Sequence, residues 1–222
     1  MSTSKSSPSR PDRAAQTQSS YDALAEEYAK RFSNELDQRP RERELLERFA
    51  ARCGNQGLIS DLGCGPGHIA SYIRRFNPGV FGLDFSLGTL IQARGRHPEI
   101  VFIQGDMLAL PLAPGKLGGI VAFYSIIHFA SGQVDRSLAE MKRVLRPGGH
   151  LLLGFHVGTG TVHVEEELGV AVDLEATFFT SDDLVSRLER MGLTIAERFQ
   201  RDPNPDLEYP SLRGYIWATR PS

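Results

Sequence analysis

The chain has 222 residues, 41% hydrophobic and 23% charged, which suits a globular protein and excludes disordered and fibrous classes. Its 25 Lys and Arg against 27 Asp and Glu leave a net charge of −2, so no broad basic face is offered to a nucleic-acid backbone. No run of about 18 apolar residues occurs, which rules out a membrane-spanning helix. Cys53 and Cys64 are the only cysteines, with no Cys-x-x-Cys, so neither a disulfide framework nor a metal site is expected and a reducing cytoplasm is the default location.

Residues 1–18 are rich in Ser, Pro and charge and are read as a disordered tail, with a single domain over 19–222. From Tyr21 a helix is predicted, because Tyr21, Leu24, Ala25, Tyr28 and Phe32 recur at spacings of three and four. A second helix runs from about Arg41 to Arg52, stopped by Gly54. Strand and helix signals then alternate. Leu58–Leu62 is a strand entering Gly63-Cys64-Gly65-Pro66-Gly67, and a helix follows through Ile69, Ile73 and Phe76. Further strands are predicted at Val80–Asp84, Val101–Ile103, Gly119–Tyr124 and His150–Val157, with helices through Leu90 and through Val134, Leu138 and Met141. Strands separated by helices imply right-handed crossovers and a parallel sheet. A glycine-spaced segment over 158–175 is assigned no element. A helix opening at Thr180-Ser181-Asp182-Asp183 and two strands, Leu193–Phe199 and Leu212–Thr219, close the chain, the last as an antiparallel return.

The glycine loop is not a dinucleotide fingerprint, since Gly-x-Gly-x-x-Gly counted from Gly63 puts His68 sixth; no Gly-Lys-Ser/Thr follows, which excludes a P-loop. Asp61-Leu62-Gly63-Cys64-Gly65-Pro66-Gly67 fits a loop facing an amino-acid moiety, with Asp61 toward an ammonium and backbone N–H groups toward a carboxylate.

The stretch ISDLGCGPGHIASYI resembles the first motif of class I S-adenosylmethionine-dependent methyltransferases of the small-molecule type, such as those acting on ubiquinone and menaquinone precursors. Matches continue in order through residues 58–157 with FGLDFS, QGDMLALP, IVAFYSIIHF and RVLRPGGHLLL. The resemblance implies an α/β, Rossmann-like doubly wound sheet of seven strands, mostly parallel with the last antiparallel, and helices on both faces. It implies S-adenosylmethionine as cofactor and S-adenosylhomocysteine as product. Gly63, Gly65 and Gly67 would cradle the cofactor, Asp84 would take the ribose hydroxyls with Phe85 beside it, and Asp106 would reach the adenine, with Met107 packing on the ring. Residues 55–157 would form the cofactor half and 158–222 the acceptor half.

Tyr21 and Tyr28 resemble the lid helix of such enzymes, which makes 19–54 a lid and flanking region; a core-packing helix is the alternative. Tyr124 is placed to touch cofactor or acceptor. His128, just past the fourth strand, is either a general base or a wall residue, and His156 and His163 are candidates for acceptor contact. Glu165-Glu166-Glu167 reads as a solvated charge run. The expected partner is a small-molecule acceptor. AFYS at strand four does not resemble the Asn/Asp-Pro-Pro-Tyr/Phe of amino methylases acting on nucleic acid. A cofactor-binding sensor or repurposed enzyme is the rival from another class, because fold does not fix function.

Overall fold

The computed structural model describes residues 10–54, 57–205 and 208–222. Helix α1 (Arg10–Phe32) is followed by a 3-10 turn (Glu35–Gln38) and α2 (Pro40–Cys53). The alternating part runs β1 (Leu58–Leu62), α3 (His68–Arg74), β2 (Val80–Asp84), α4 (Leu87–Arg96), β3 (Val101–Gln104), β4 (Leu117–Phe123), a 3-10 turn (Ile126–His128), α5 (Ser131–Val144) and β5 (Leu145–His156). The remainder is β6 (Thr161–Glu167), β7 (Val170–Thr177), α6 (Ser181–Arg190), β8 (Thr194–Arg201) and β9 (Arg213–Thr219).

Seven strands form one sheet in the order β3-β2-β1-β4-β5-β9-β8, and β6 pairs with β7 in a second sheet of two. Strands β1 to β5 pair in parallel, while β9 runs antiparallel to both β5 and β8. The expected doubly wound sheet is therefore the one observed. Chain order runs outward from β1 to β3 and then returns to β4 beside β1. Ligands in open α/β sheets bind at such a reversal, outside the carboxyl ends of the strands.

Both faces of the sheet are covered, so its central strands are apolar on alternate residues toward each side. Ile120, Ala122, Leu151 and Leu153 pack toward Val134, Leu138, Leu184 and Leu188 of α5 and α6. Val121, Phe123 and Leu152 pack on the opposite face, with Leu46, Phe49 and Ile73 of α2 and α3. At Thr180 half of a capping box forms: its hydroxyl accepts the Asp183 N–H, whereas the Asp183 carboxylate is taken by Arg187.

Two expectations are corrected. Residues 10–18 are the first turns of α1, not a tail, and residues 1–9 of that reading lie outside the described residues. The segment has little apolar surface to bury, but its polar side chains find partners on the body. Arg13 pairs with Glu175, and Gln18 Nε2 donates to the Phe85 carbonyl at 3.1 Å. Residues 158–175, given no element above, supply β6 and most of β7. The hairpin turns through Leu168 and Gly169, with φ of 52° and 77°, the two positive values of a type I′ turn.

Candidate active site

The loop after β1 and the loop after β4 meet at the chain reversal. Gly63 has φ 70°, and a Cβ there would lie 2.4 Å from that of Ser125. Only glycine lets the two loops close. Gly67 has φ 81°, and its Cβ would meet the Phe102 ring at 2.6 Å. Its role is to seat α3 on the sheet, and it does not line the cleft. Gly65 faces the cleft, with Tyr28 resting 3.5 Å from where its Cβ would be.

A cleft of about 130 Å³ opens here, lined by Gly63, Gly65, Asp84, Phe85, Asp106 and Met107. Asp84 Oδ2 accepts the Gly65 N–H at 2.8 Å and Oδ1 accepts the Ser86 N–H at 2.9 Å, which ties β2 to the glycine loop. Burial pushes its carboxyl upward, and these backbone donors oppose the rise. Asp106 is exposed and gives one oxygen to the Leu108 N–H at 2.7 Å. Ser125 is 8% exposed, and its Oγ has no hydrogen-bond partner among the described residues. An orphaned buried hydroxyl on a glycine cradle, beside two carboxylates, fits a ligand with polar groups at both ends.

Asp61 is placed elsewhere. It is 1% exposed, lines neither this cleft nor its neighbour, and accepts the Ala70 N–H at 3.1 Å, which fixes the first turn of α3. Burial pushes its carboxyl up to about 7. The expected contact with an ammonium is therefore not the one the structure makes.

Helix α1 roofs the cleft. Arg13, Ala14, Thr17 and Gln18 line it, a contribution the sequence reading missed by ending the helix signal at Tyr21. Asp22 Oδ1 accepts from Ser86 Oγ at 2.6 Å and from the Gly88 N–H at 2.8 Å, which pins α1 to the start of α4.

A second cavity of about 380 Å³ adjoins the first, and Tyr21, Tyr28, Gly63, Tyr124 and His128 line both. Its far wall is the β6–β7 hairpin, which contributes Val162, Val164, Leu174 and Ala176. Strand alternation explains why His163 is absent from this wall. It points outward, half-exposed, 3.7 Å from Asp173, while its neighbours Val162 and Val164 point in. Glu167, read above within a solvated run, is half-buried and lines the cavity, and burial raises its carboxyl.

His128 is engaged at both nitrogens. Its Nδ1 donates to the Glu175 carbonyl at 2.8 Å, which leaves Nε2 to accept the Tyr21 hydroxyl at 2.7 Å. Burial pushes the imidazole down to about 4, so it is neutral near pH 7, and the Tyr21 phenol is pushed upward. The ring links the α1 roof to the hairpin wall.

Tyr124 holds φ 53°, an uncommon value for a non-glycine residue, and its hydroxyl meets that of Tyr215 at 2.8 Å. Tyr215 donates to Glu42 at 2.5 Å, and Arg201 bridges Glu42 and Glu208. His156 lies on the cavity wall with its ring 5.1 Å from that of Tyr124, and Arg213 lies over the Tyr124 ring at 5.3 Å. Arg39, Glu208 and Arg213 were not anticipated. They are joined by contacts far apart in sequence, and the only local signal is an arginine opening the otherwise apolar Gly214–Ala218.

Residues 59–149 match the family described as Methyltransferase domain. The chain is 31% identical over 111 residues to demethylmenaquinone methyltransferase of Beutenbergia cavernae, covering 50% of this chain and 45% of that protein. It is 34% identical over 112 residues to malonyl-[acyl-carrier protein] O-methyltransferase of Pectobacterium atrosepticum, covering 50% of this chain and 43% of that one. The chain thus spans less than half the length of either curated relative. The chain also shares a fold with 1,6-didemethyltoxoflavin-N1-methyltransferase of Burkholderia thailandensis, solved with 1,6-didemethyltoxoflavin and S-adenosylhomocysteine. The TM-score is 0.73 at 14% identity, over 99% of this chain and 93% of that one.

Proposed function

We propose that this protein is an S-adenosylmethionine-dependent methyltransferase acting on a small-molecule acceptor. The observation that carries the reading is the pair of adjoining cavities. The smaller lies under Asp84, Asp106 and the glycine loop, the larger lies beneath α1 and the hairpin, and they meet at Gly63, Tyr124 and His128. Asp84 is suited to ribose hydroxyls, Asp106 and Met107 to adenine, and Gly63, Gly65 and Ser125 to the amino-acid end. When bound, S-adenosylmethionine supplies a methyl group on a positively charged sulfur. The chain's own contribution is to align the acceptor and exclude water rather than to supply a strong acid. Tyr21 and Tyr28 serve as a roof, and His128 as the fastening between roof and wall. A concave cavity of about 380 Å³ suits a small molecule better than a nucleic-acid strand. Both cysteines are buried free thiols, consistent with a reducing compartment such as the cytoplasm, and among the described residues no helix is long and apolar enough to cross a membrane.

Calorimetry with S-adenosylhomocysteine and transfer of a labelled methyl group across an acceptor panel test the proposal together. Binding followed by transfer is the expected result. Binding without transfer to any acceptor favours a sensor, and absence of binding removes the proposal altogether.

A further inference from the structure

Resting on that reading, the next question is which acceptors the larger cavity selects. Its end beside Tyr124 is built from Arg213 and His156. Arg213 is 4% exposed, and its guanidinium donates to the His156 ring and, at 3.2 Å, to the Tyr209 carbonyl. Its Nε has no hydrogen-bond partner among the described residues and forms a long ion pair with Glu208 Oε1 at 3.6 Å. A guanidinium only donates, so the His156 ring is the acceptor: one arm of Arg213 meets its Nδ1 and, at 3.2 Å, its Nε2, and Nδ1 also meets Ser211 Oγ at 2.7 Å.

The carboxylates nearby are already answered. Glu208 takes both guanidinium arms of Arg201, at 2.7 and 2.8 Å, and Arg39 at 3.0 Å. Glu35 is shared by Arg39 at 3.0 Å and His68 at 2.9 Å. The remaining wall carboxylate, Glu167, sits on the hairpin side, where Arg31 offsets its charge. Among the described residues, this end of the cavity thus presents an N–H donor on a buried cation and no unengaged carboxylate. Around it the surfaces are aromatic or apolar: His156 contacts Phe178 and Tyr209 at ring separations of 5.6 and 6.0 Å. Neither imidazole is placed to take a proton, since both nitrogens of His128 are occupied and His156 Nδ1 is held by Arg213 and Ser211.

We infer that the acceptor is a planar, mostly apolar acid, such as a carboxylic acid, acidic phenol or enol, that binds already ionised, with its anionic oxygen on Arg213. Charge-assisted donors in a desolvated pocket discriminate between an anion and its neutral isostere, because the isostere's hydrogen bond lacks the charge assistance. An acceptor that arrives as its anion has already lost its proton to water, and no wall group is needed as base.

The test uses the full chain saturated with S-adenosylhomocysteine, titrated calorimetrically with two matched pairs: 2-naphthoate against 2-naphthamide, and benzoate against benzamide. The naphthoate is expected to bind at least tenfold more tightly than its amide. Arg213→Met should abolish that preference and Arg213→Lys should keep part of it, with circular dichroism confirming the fold. Equal or tighter binding of the amides, no binding by either acid, or a preference that survives Arg213→Met overturns the inference. The wild-type comparison decides even if Arg213→Met does not fold. Failure of S-adenosylhomocysteine itself to bind refutes the proposed function instead, so the two failures are distinct.

Discussion

Removing residues 1–18 tests whether the start of α1 belongs to the site. A variant beginning at Ser19 keeps Tyr21, Tyr28 and the Asp22 pin on α4, and loses only the part that roofs the smaller cleft. Two anchors go with it. The Gln18–Phe85 bond of 3.1 Å is a neutral hydrogen bond worth about 0.5–1.5 kcal/mol. The Arg13–Glu175 pair is partly solvated, with side chains 30% and 36% exposed, so it is discounted to about 0.2–1 kcal/mol. Together they amount to about 0.7–2.5 kcal/mol, a fall in melting temperature of roughly 1–10 °C for a chain of this size. Arg13, Ala14, Thr17 and Gln18 also line the cleft directly. Affinity for S-adenosylhomocysteine should therefore drop at least about fivefold, equivalent to about 1 kcal/mol. Differential scanning fluorimetry and calorimetry on the truncated chain measure both quantities. A melting temperature and a dissociation constant indistinguishable from those of the full chain would refute the reasoning and return residues 10–18 to the status of a tail.

Asp84→Asn replaces an oxygen that accepts a backbone N–H by an amide NH2 facing it, beside the ribose position; at about 1.5–3 kcal/mol, S-adenosylhomocysteine affinity should fall at least tenfold, and an unchanged dissociation constant would end the ribose assignment. Asp61 is pushed up to about 7 in the folded chain against 3.8 for a hydrated aspartate. Below about pH 4 it is protonated in both states, and between pH 4 and 7 only the folded chain holds the proton, so its contribution to stability falls as pH rises through that window. Asp61→Asn should flatten the decline of melting temperature from pH 4.5 to 7.5, and an identical decline in the variant would contradict the buried placement. His128→Asn should leave the shape of the rate–pH profile between pH 6 and 8 unchanged, since the imidazole is already neutral there; loss of a limb near pH 6–7 would make it a base.

The parallel half was legible because its signals are local. β1, the loop through Gly63, Gly65 and Gly67, Asp84 after β2 and Asp106 after β3 each carry their meaning within a few residues, and strand alternation with helices set the topology. What escaped was fixed at a distance. The β6–β7 hairpin turns on Leu168-Gly169 without the Asn-Gly or Asp-Gly that marks such turns, and its inward face rests on only a few residues such as Val162, Val164 and Leu174. The start of α1 is anchored by polar contacts to Phe85 and Glu175, which composition does not register. Asp61 was expected in the cleft because it precedes the glycines, yet a peptide N–H of α3 captured it. The Glu42–Arg201–Glu208 network joins residues up to 159 positions apart, and nothing local announces it.

A crystal structure with S-adenosylhomocysteine tests the central claim most directly. The account predicts the ribose on Asp84, the adenine beside Asp106 and Met107, and the thioether sulfur at the junction of Gly63, Tyr124 and His128, facing the larger cavity. Binding at any other place, or no density at saturating ligand, would contradict it.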